Sequence, residues 1–214
     1  MPRTLAAGQR CRVRVLDVDT GEDRVVHESD RVLYEAPNWT ADGRWLIING
    51  DGHLFRLAVS GGEPQRIELG DLPALNNDHV LSPDGHHIYL SADDGHIHRA
   101  PLTGGPATRI THDEDRLHFL HGVSPDGATL AYVGVERLAD GTWLPPNVFV
   151  LPSRGGPATQ LTDDEHPDDG AEYSPDGRWI YFNSERGRTR PGHAQLFRMR
   201  PDGGGVEQLT DDER

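Results

Sequence analysis

Ser82-Pro83-Asp84-Gly85, Ser124-Pro125-Asp126-Gly127 and Ser174-Pro175-Asp176-Gly177 recur along the chain, with Thr40-Ala41-Asp42-Gly43 as a degenerate fourth copy. Their aspartates stand at 42, 84, 126 and 176, spacings of 42, 42 and 50 residues. A period in the low forties is that of a four-stranded propeller blade. Proline presets φ at the second turn position, Asp suits the third, and glycine closes the turn. An alternating segment follows each copy: Trp45-Leu46-Ile47-Ile48, His87-Ile88-Tyr89-Leu90, Leu130-Ala131-Tyr132-Val133 and Trp179-Ile180-Tyr181-Phe182. Each reads as a strand. A second strand comes next, at Leu54–Leu57, His96–Arg99, Val148–Leu151 and Leu196–Met199. A Gly-Gly turn then leads to a short strand ending at Ile67, Ile110, Leu161 or Leu209. No segment holds a helical period.

With the strands of a repeat named a to d, the Ser-Pro-Asp-Gly turn joins a to b and the Gly-Gly turn joins c to d. Residues 11–27 read as a lone c–d pair; within them Asp17-Val18-Asp19-Thr20-Gly21 is a plain turn, its period being wrong for a calcium loop. The expectation is an all-β chain, a β-propeller of four-stranded antiparallel blades. It is read as one domain over 1–214: a half-blade at 10–30 and four full repeats at about 34–70, 76–112, 118–163 and 168–211. The half-blade lacks an a–b pair and the sequence stops after a d strand. Two open sheet edges invite pairing, so the chain is expected to be truncated from a larger ring or closed by a partner copy, with self-association through those edges.

Of 214 residues, 35 are acidic and 21 basic, a formal charge of -14, and every basic residue is Arg. An acidic surface excludes nucleic acid and an anionic membrane as partners. The lack of Lys excludes a P-loop lysine and Schiff-base chemistry. Cys11, the single cysteine, can form no internal disulfide. No apolar run reaches spanning length and the first residues lack a signal-peptide core, so a cytoplasmic location is expected. The sequon Asn38-Trp39-Thr40 is then a chance match.

The repeats Leu81-Ser82-Pro83-Asp84-Gly85, Val123-Ser124-Pro125-Asp126-Gly127 and Tyr173-Ser174-Pro175-Asp176-Gly177, each followed by Gly-Gly and then Leu-Thr or Ile-Thr, resemble TolB-like propeller repeats over nearly the whole chain. The resemblance implies the propeller fold and a ring of six blades, one or two more than this chain carries. TolB itself is periplasmic and has an α/β domain ahead of its propeller, for which there is neither signal nor room here. Prolyl peptidases carry similar repeats beside a hydrolase domain, but no Gly-x-Ser-x-Gly elbow is present. Oligogalacturonate lyase looks like another such propeller, one with a histidine-held metal on its axis.

Strand a lines the channel of a propeller, so candidate chemistry is sought there. Six positions before the turn Ser or Thr stand Tyr34, Asn76, His118 and Asp168; five before, Glu35, Asn77, Phe119 and Asp169. Three before stand Pro37, His79, His121 and Ala171; two before, Asn38, Val80, Gly122 and Glu172. His79 and His121, one repeat apart, are expected to point alike toward the axis. With Asp169 and Glu172 they form a candidate metal set, two imidazoles and carboxylates suiting Mn, Zn or Fe. Asn76, Asn77, Asp78 and His118 are candidate ligand contacts at the same opening. Arg186 and Arg188, in the long b–c segment 185–193, suit a carboxylate or acidic sugar. The other long b–c segment, 136–146, lies on that face too, and insertions on one face of a repeat array mark a binding face.

The leading expectation is a binding or scaffold module that takes a protein or a small-molecule or carbohydrate ligand at the axial opening. One alternative is a metal-dependent lyase or hydrolase acting on a carbohydrate. The other is a structural propeller fragment closed by a partner chain.

Overall fold

A hairpin is predicted at each Ser-Pro-Asp-Gly turn, and the computed structural model has one in all four copies; it describes residues 3–187 and 192–211. The half-blade is β1 (Cys11–Leu16) paired with β2 (Asp23–Ser29). The first full blade runs β3 (Glu35–Trp39), β4 (Trp45–Gly50), β5 (His53–Ala58) and β6 (Gln65–Ile67). The second runs β7 (Leu75–Leu81), β8 (His87–Ala92), β9 (Ile97–Pro101) and β10 (Thr108–Arg109). The third runs β11 (Arg116–Val123), β12 (Thr129–Glu136), β13 (Asn147–Pro152) and β14 (Thr159–Gln160). The fourth runs β15 (Asp168–Tyr173), β16 (Ile180–Ser184), β17 (Gln195–Met199) and β18 (Glu207–Gln208). In every sheet the strands lie in chain order, the up-and-down meander of a propeller blade. No helix occurs among the described residues.

The turn motif is a small hydrogen-bonded device. Ser124 Oγ donates to Asp126 Oδ1 at 2.5 Å, Asp126 Oδ1 accepts the Ala128 N–H at 3.0 Å, and Ser124 Oγ accepts the Thr129 N–H at 2.9 Å. Ser174 and Asp176 repeat the pattern, and so do Thr40 and Asp42. These donors hold Asp42 and Asp176 down at about 2.

The chain divides into two compact units: Met1–Leu81 with Gly85–Asp94 and Arg99–Thr108, and Ser82–Asp84 with Gly95–His98 and Arg109–Arg214. The b strands are apolar on both faces because each packs in two directions. In the first unit Leu46 and Ile48 of β4 meet Val13 and Val26 of the half-blade. Ile47 points the other way, into a core with Leu75, Ile88 and Leu90 of the next blade. In the second unit Ala131 and Val148 meet Ala171, Ile180 and Phe182. Each large aliphatic group so buried contributes roughly 1.5–3 kcal/mol, which is how sheets alone hold a core. Cys11 is buried and forms no disulfide, its Sγ 3.4 Å from the Tyr34 carbonyl oxygen. Asp17–Gly21 is a plain turn, with Asp17 Oδ1 accepting the Thr20 N–H at 2.8 Å.

Candidate functional site

Every a strand carries a bulge, and the bulges sit where the candidate residues lie. Between Glu35↔Asn49 and Asn38↔Ile47, Ala36 and Pro37 stand opposite Ile48 alone. Between Leu75↔Ala92 and His79↔Leu90, Asn76, Asn77 and Asp78 stand opposite Ser91 alone. Between Leu120↔Tyr132 and Gly122↔Ala131, His121 is the extra residue. Between Asp169↔Asn183 and Glu172↔Tyr181, Gly170 and Ala171 stand opposite Phe182 alone. Bulges re-aim side chains, and these differ in length, so residues at equal offsets from the turn do not share an environment.

That corrects the expectation that His79 and His121 point alike. His79 follows its bulge and is paired to Leu90, which turns its ring into the protein. The ring is buried with Nε2 3.4 Å from the Ile47 carbonyl, and burial pushes it down to about 4. His121 is itself the bulged residue and stays partly exposed, with Nε2 3.1 Å from Asp169 Oδ1. Hydrogen bonding to His121 lowers the Asp169 carboxyl, although Asp169 is largely open to solvent, which weakens the pairing. Glu172 closes the same bulge; its side chain is exposed, yet desolvation of the carboxyl pushes it up to about 7, against opposing pulls from the Tyr173 N–H and His121. The strands β11 and β15 that bring these three together run close at Gly122, where a Cβ would sit 2.7 Å from the Ala171 carbonyl oxygen.

Two of the residues six before the turn, His118 and Asp168, are buried, which corrects His118 as a ligand contact. Its side chain has no exposed surface. The ring lies in a ladder with His96, Tyr132 and Phe149, successive centroids 5.3, 5.3 and 5.4 Å apart. Nδ1 donates to the Gly95 carbonyl at 2.8 Å, and burial pushes the ring down to about 4. Asp168 has no exposed surface either, and Arg186 covers it: Nη2 lies 2.6 Å from Asp168 Oδ2 and 3.0 Å from Asp164. The guanidinium stands 5.0 Å above the Phe182 ring. Arg186 is thus committed to its own blade, which corrects it as a receptor for an acidic ligand. Arg188 lies outside the described residues. Asn76 and Asp78 bond to each other across their bulge, Nδ2 to Oδ2 at 2.9 Å, while Asn77 is exposed.

Among the described residues no group of three or more His, Cys, Asp or Glu is placed to hold a metal ion. His79 points into its core, and His121 with Asp169 supplies only a pair, so the candidate metal set does not fit Mn, Zn or Fe in this arrangement. The arrangement offers instead a ring nitrogen, an ionised carboxylate and a carboxyl that changes charge near neutrality. Such a set can bind hydrogen-bond donors and cations, and it can accept or deliver a proton. Sequence reasoning had these three residues but not their bulges, since an inserted strand residue has no composition of its own.

No family model matches the chain. It is 37% identical over 209 residues to an uncharacterized protein of Agrobacterium fabrum, a match covering 94% of this chain and 66% of that relative. It superposes on the structure of a "putative TolB" from Agrobacterium tumefaciens with a TM-score of 0.81 and 37% identity, over 93% of this chain and 69% of that one. The chain thus spans about two thirds of the length of each. The fold alone is shared with oligogalacturonate lyase in complex with manganese, at a TM-score of 0.67 and 14% identity, over 95% of this chain and 61% of that one.

Proposed function

The chain belongs to the TolB-like β-propeller family, and from that premise we propose that it is a binding module, taking a protein or small-molecule ligand at the inner-strand bulges of its third and fourth blades. The observation that carries this is the convergence of His121, Asp169 and Glu172 on two adjacent strands, with His121 Nε2 3.1 Å from Asp169 Oδ1. Acceptors dominate the cluster, so it suits a ligand presenting hydroxyls, amines or guanidinium groups. Carbohydrates and polypeptides both qualify.

The test is a thermal-shift panel of basic peptides and of neutral and acidic oligosaccharides. It is run on the parent and on a His121→Ala/Asp169→Asn variant. At least one class is expected to raise the parent's Tm and leave the variant's unchanged. Glu172, held near 7, is neutral below that pH and anionic above it. A cationic ligand is therefore expected to bind more tightly as pH rises from 6 to 8, and Glu172→Gln to reduce the rise. Equal shifts in parent and variant, or no shift from any class, would remove the reading.

A further inference from the structure

The longer spacing of the third repeat comes from its b–c segment, residues 136–146, and that segment is a built hairpin. Arg137 bridges Trp143, the Leu138 N–H donates to the Thr142 carbonyl at 2.8 Å, and the Leu144 N–H donates to the Glu136 carbonyl at 2.9 Å. Asp140 Oδ1 accepts the Thr142 N–H at 2.9 Å, and the Arg137 guanidinium stands 5.5 Å from the Trp143 ring centroid. A hairpin held this firmly nonetheless presents apolar surface: Trp143 is 47% exposed and Leu138 45%. Large apolar groups on a rigid scaffold, rimmed by charge, mark interaction sites, and Trp is the residue most enriched at their centres.

The rim is acidic. The loop 113–115 joins the hairpin through the Arg137 N–H, which donates to the Asp115 carbonyl at 2.7 Å. The loop 163–167 meets its far end, where the Asp168 N–H donates to the Pro146 carbonyl at 2.9 Å. Asp113 pairs with Arg116, Glu114 with Arg109 and Asp164 with Arg186. Asp115, Asp140, Asp163 and Glu165 are exposed. Residues 109–187 hold 14 Asp and Glu against 6 Arg, so more than half of the chain's net charge of -14 gathers in this stretch. That charge repels phosphate and attracts Lys and Arg.

We infer that the hairpin and its two flanking loops form a docking surface for a basic polypeptide segment, with an apolar side chain anchored on Trp143 and Leu138 and its cations on Asp115, Asp140, Asp163 and Glu165. Aromatic burial supplies affinity and the acidic rim supplies rate and selection. This surface does not use the His121 cluster, and the two stand or fall separately.

The probe is a fluorescein-labelled peptide of alternating Arg and Leu, titrated against the full chain by anisotropy, with Arg-Ser and Glu-Leu peptides beside it. The Arg-Leu peptide is expected to bind best, and less tightly as salt rises. Trp143→Ala is expected to weaken it about tenfold or more with Tm unchanged. Asp163→Asn/Glu165→Gln is expected to weaken it and flatten its salt dependence. Asp19→Asn/Glu22→Gln, on the half-blade turn, is expected to leave it unchanged. The inference is overturned if Arg-Ser binds as well as Arg-Leu and the half-blade change costs as much as the rim change, since the attraction is then diffuse. Binding of a neutral glucan but not the peptide, lost in Trp143→Ala, would overturn it too, assigning the surface to sugar.

Discussion

The repeat is written in single residues, and the glycine of each turn is the least replaceable of them. Gly127 adopts φ 71°, and Gly43, Gly85 and Gly177 lie within two degrees of it. A side chain there meets its own backbone rather than a neighbour: a Cβ on Gly127 would find nothing closer than Pro83 at 3.6 Å. The cost of substitution is therefore conformational, about 1 kcal/mol for alanine. Gly127→Ala is expected to lose that much in urea unfolding, Gly127→Asn less, because Asn tolerates this region, and Gly127→Val more. An alanine that costs nothing would show that the turn relaxes to another geometry. Because this chemistry is local, four copies of four residues, one of them degenerate, were enough to read the four full repeats from the sequence.

At the scale of strands, what was legible was pattern and what was not was register. Alternation and turns placed the hairpins, because apolar periodicity and Gly or Pro turns are properties of neighbouring residues. The bulges of β7 and β11 differ by one residue, Asn76–Asp78 opposite Ser91 against His121 opposite nothing, and nothing in either segment announces the difference. So His79 and His121, equal by offset, separated into a core residue and a half-buried one. Arg186 looked free because its partner Asp168 is eighteen residues away and no periodicity links them. Gly122 was read only as a position in the alignment, yet it sets how closely β11 can approach β15. A Cβ there meets backbone atoms at 2.7, 3.2 and 3.3 Å, none of which can rotate away. Gly122→Ala is expected to cost about 1–3 kcal/mol, the range of overpacking. It should also reduce the ligand-induced thermal shift while leaving His121, Asp169 and Glu172 unaltered. A stable variant with the parent's ligand response would mean that strand separation does not set the site.

For the whole molecule, acid tests whether the buried histidines or the carboxylates limit stability. His79 lies in the first unit and His118 in the second, and burial holds both down at about 4. An unfolded chain would protonate both near 6.5. The unfolded state therefore binds protons first, so the stability tied to the neutral rings is whole above about 6.5 and drains as pH falls toward 4. At 1.36 kcal/mol per unit the upper bound is roughly 3 kcal/mol for each ring, a large share of a typical folding free energy of about 5–15 kcal/mol. The turn aspartates Asp42 and Asp176, held at about 2, behave differently. Their support persists above the ordinary carboxylate range and fades only below about 4. Falling pH also reduces the net charge of -14, which by itself would relieve repulsion and stabilise the fold. The two effects have opposite signs between pH 6.5 and 4, so urea midpoints across that window separate them. The parent is expected to weaken steadily there. His118→Phe keeps a ring in the ladder but cannot titrate, so its midpoint should fall less steeply with acid even if its stability at pH 8 is lower. An unchanged slope in His118→Phe would mean that the folded ring takes up its proton as readily as the unfolded one, and an upward slope in the parent would mean that charge repulsion governs instead.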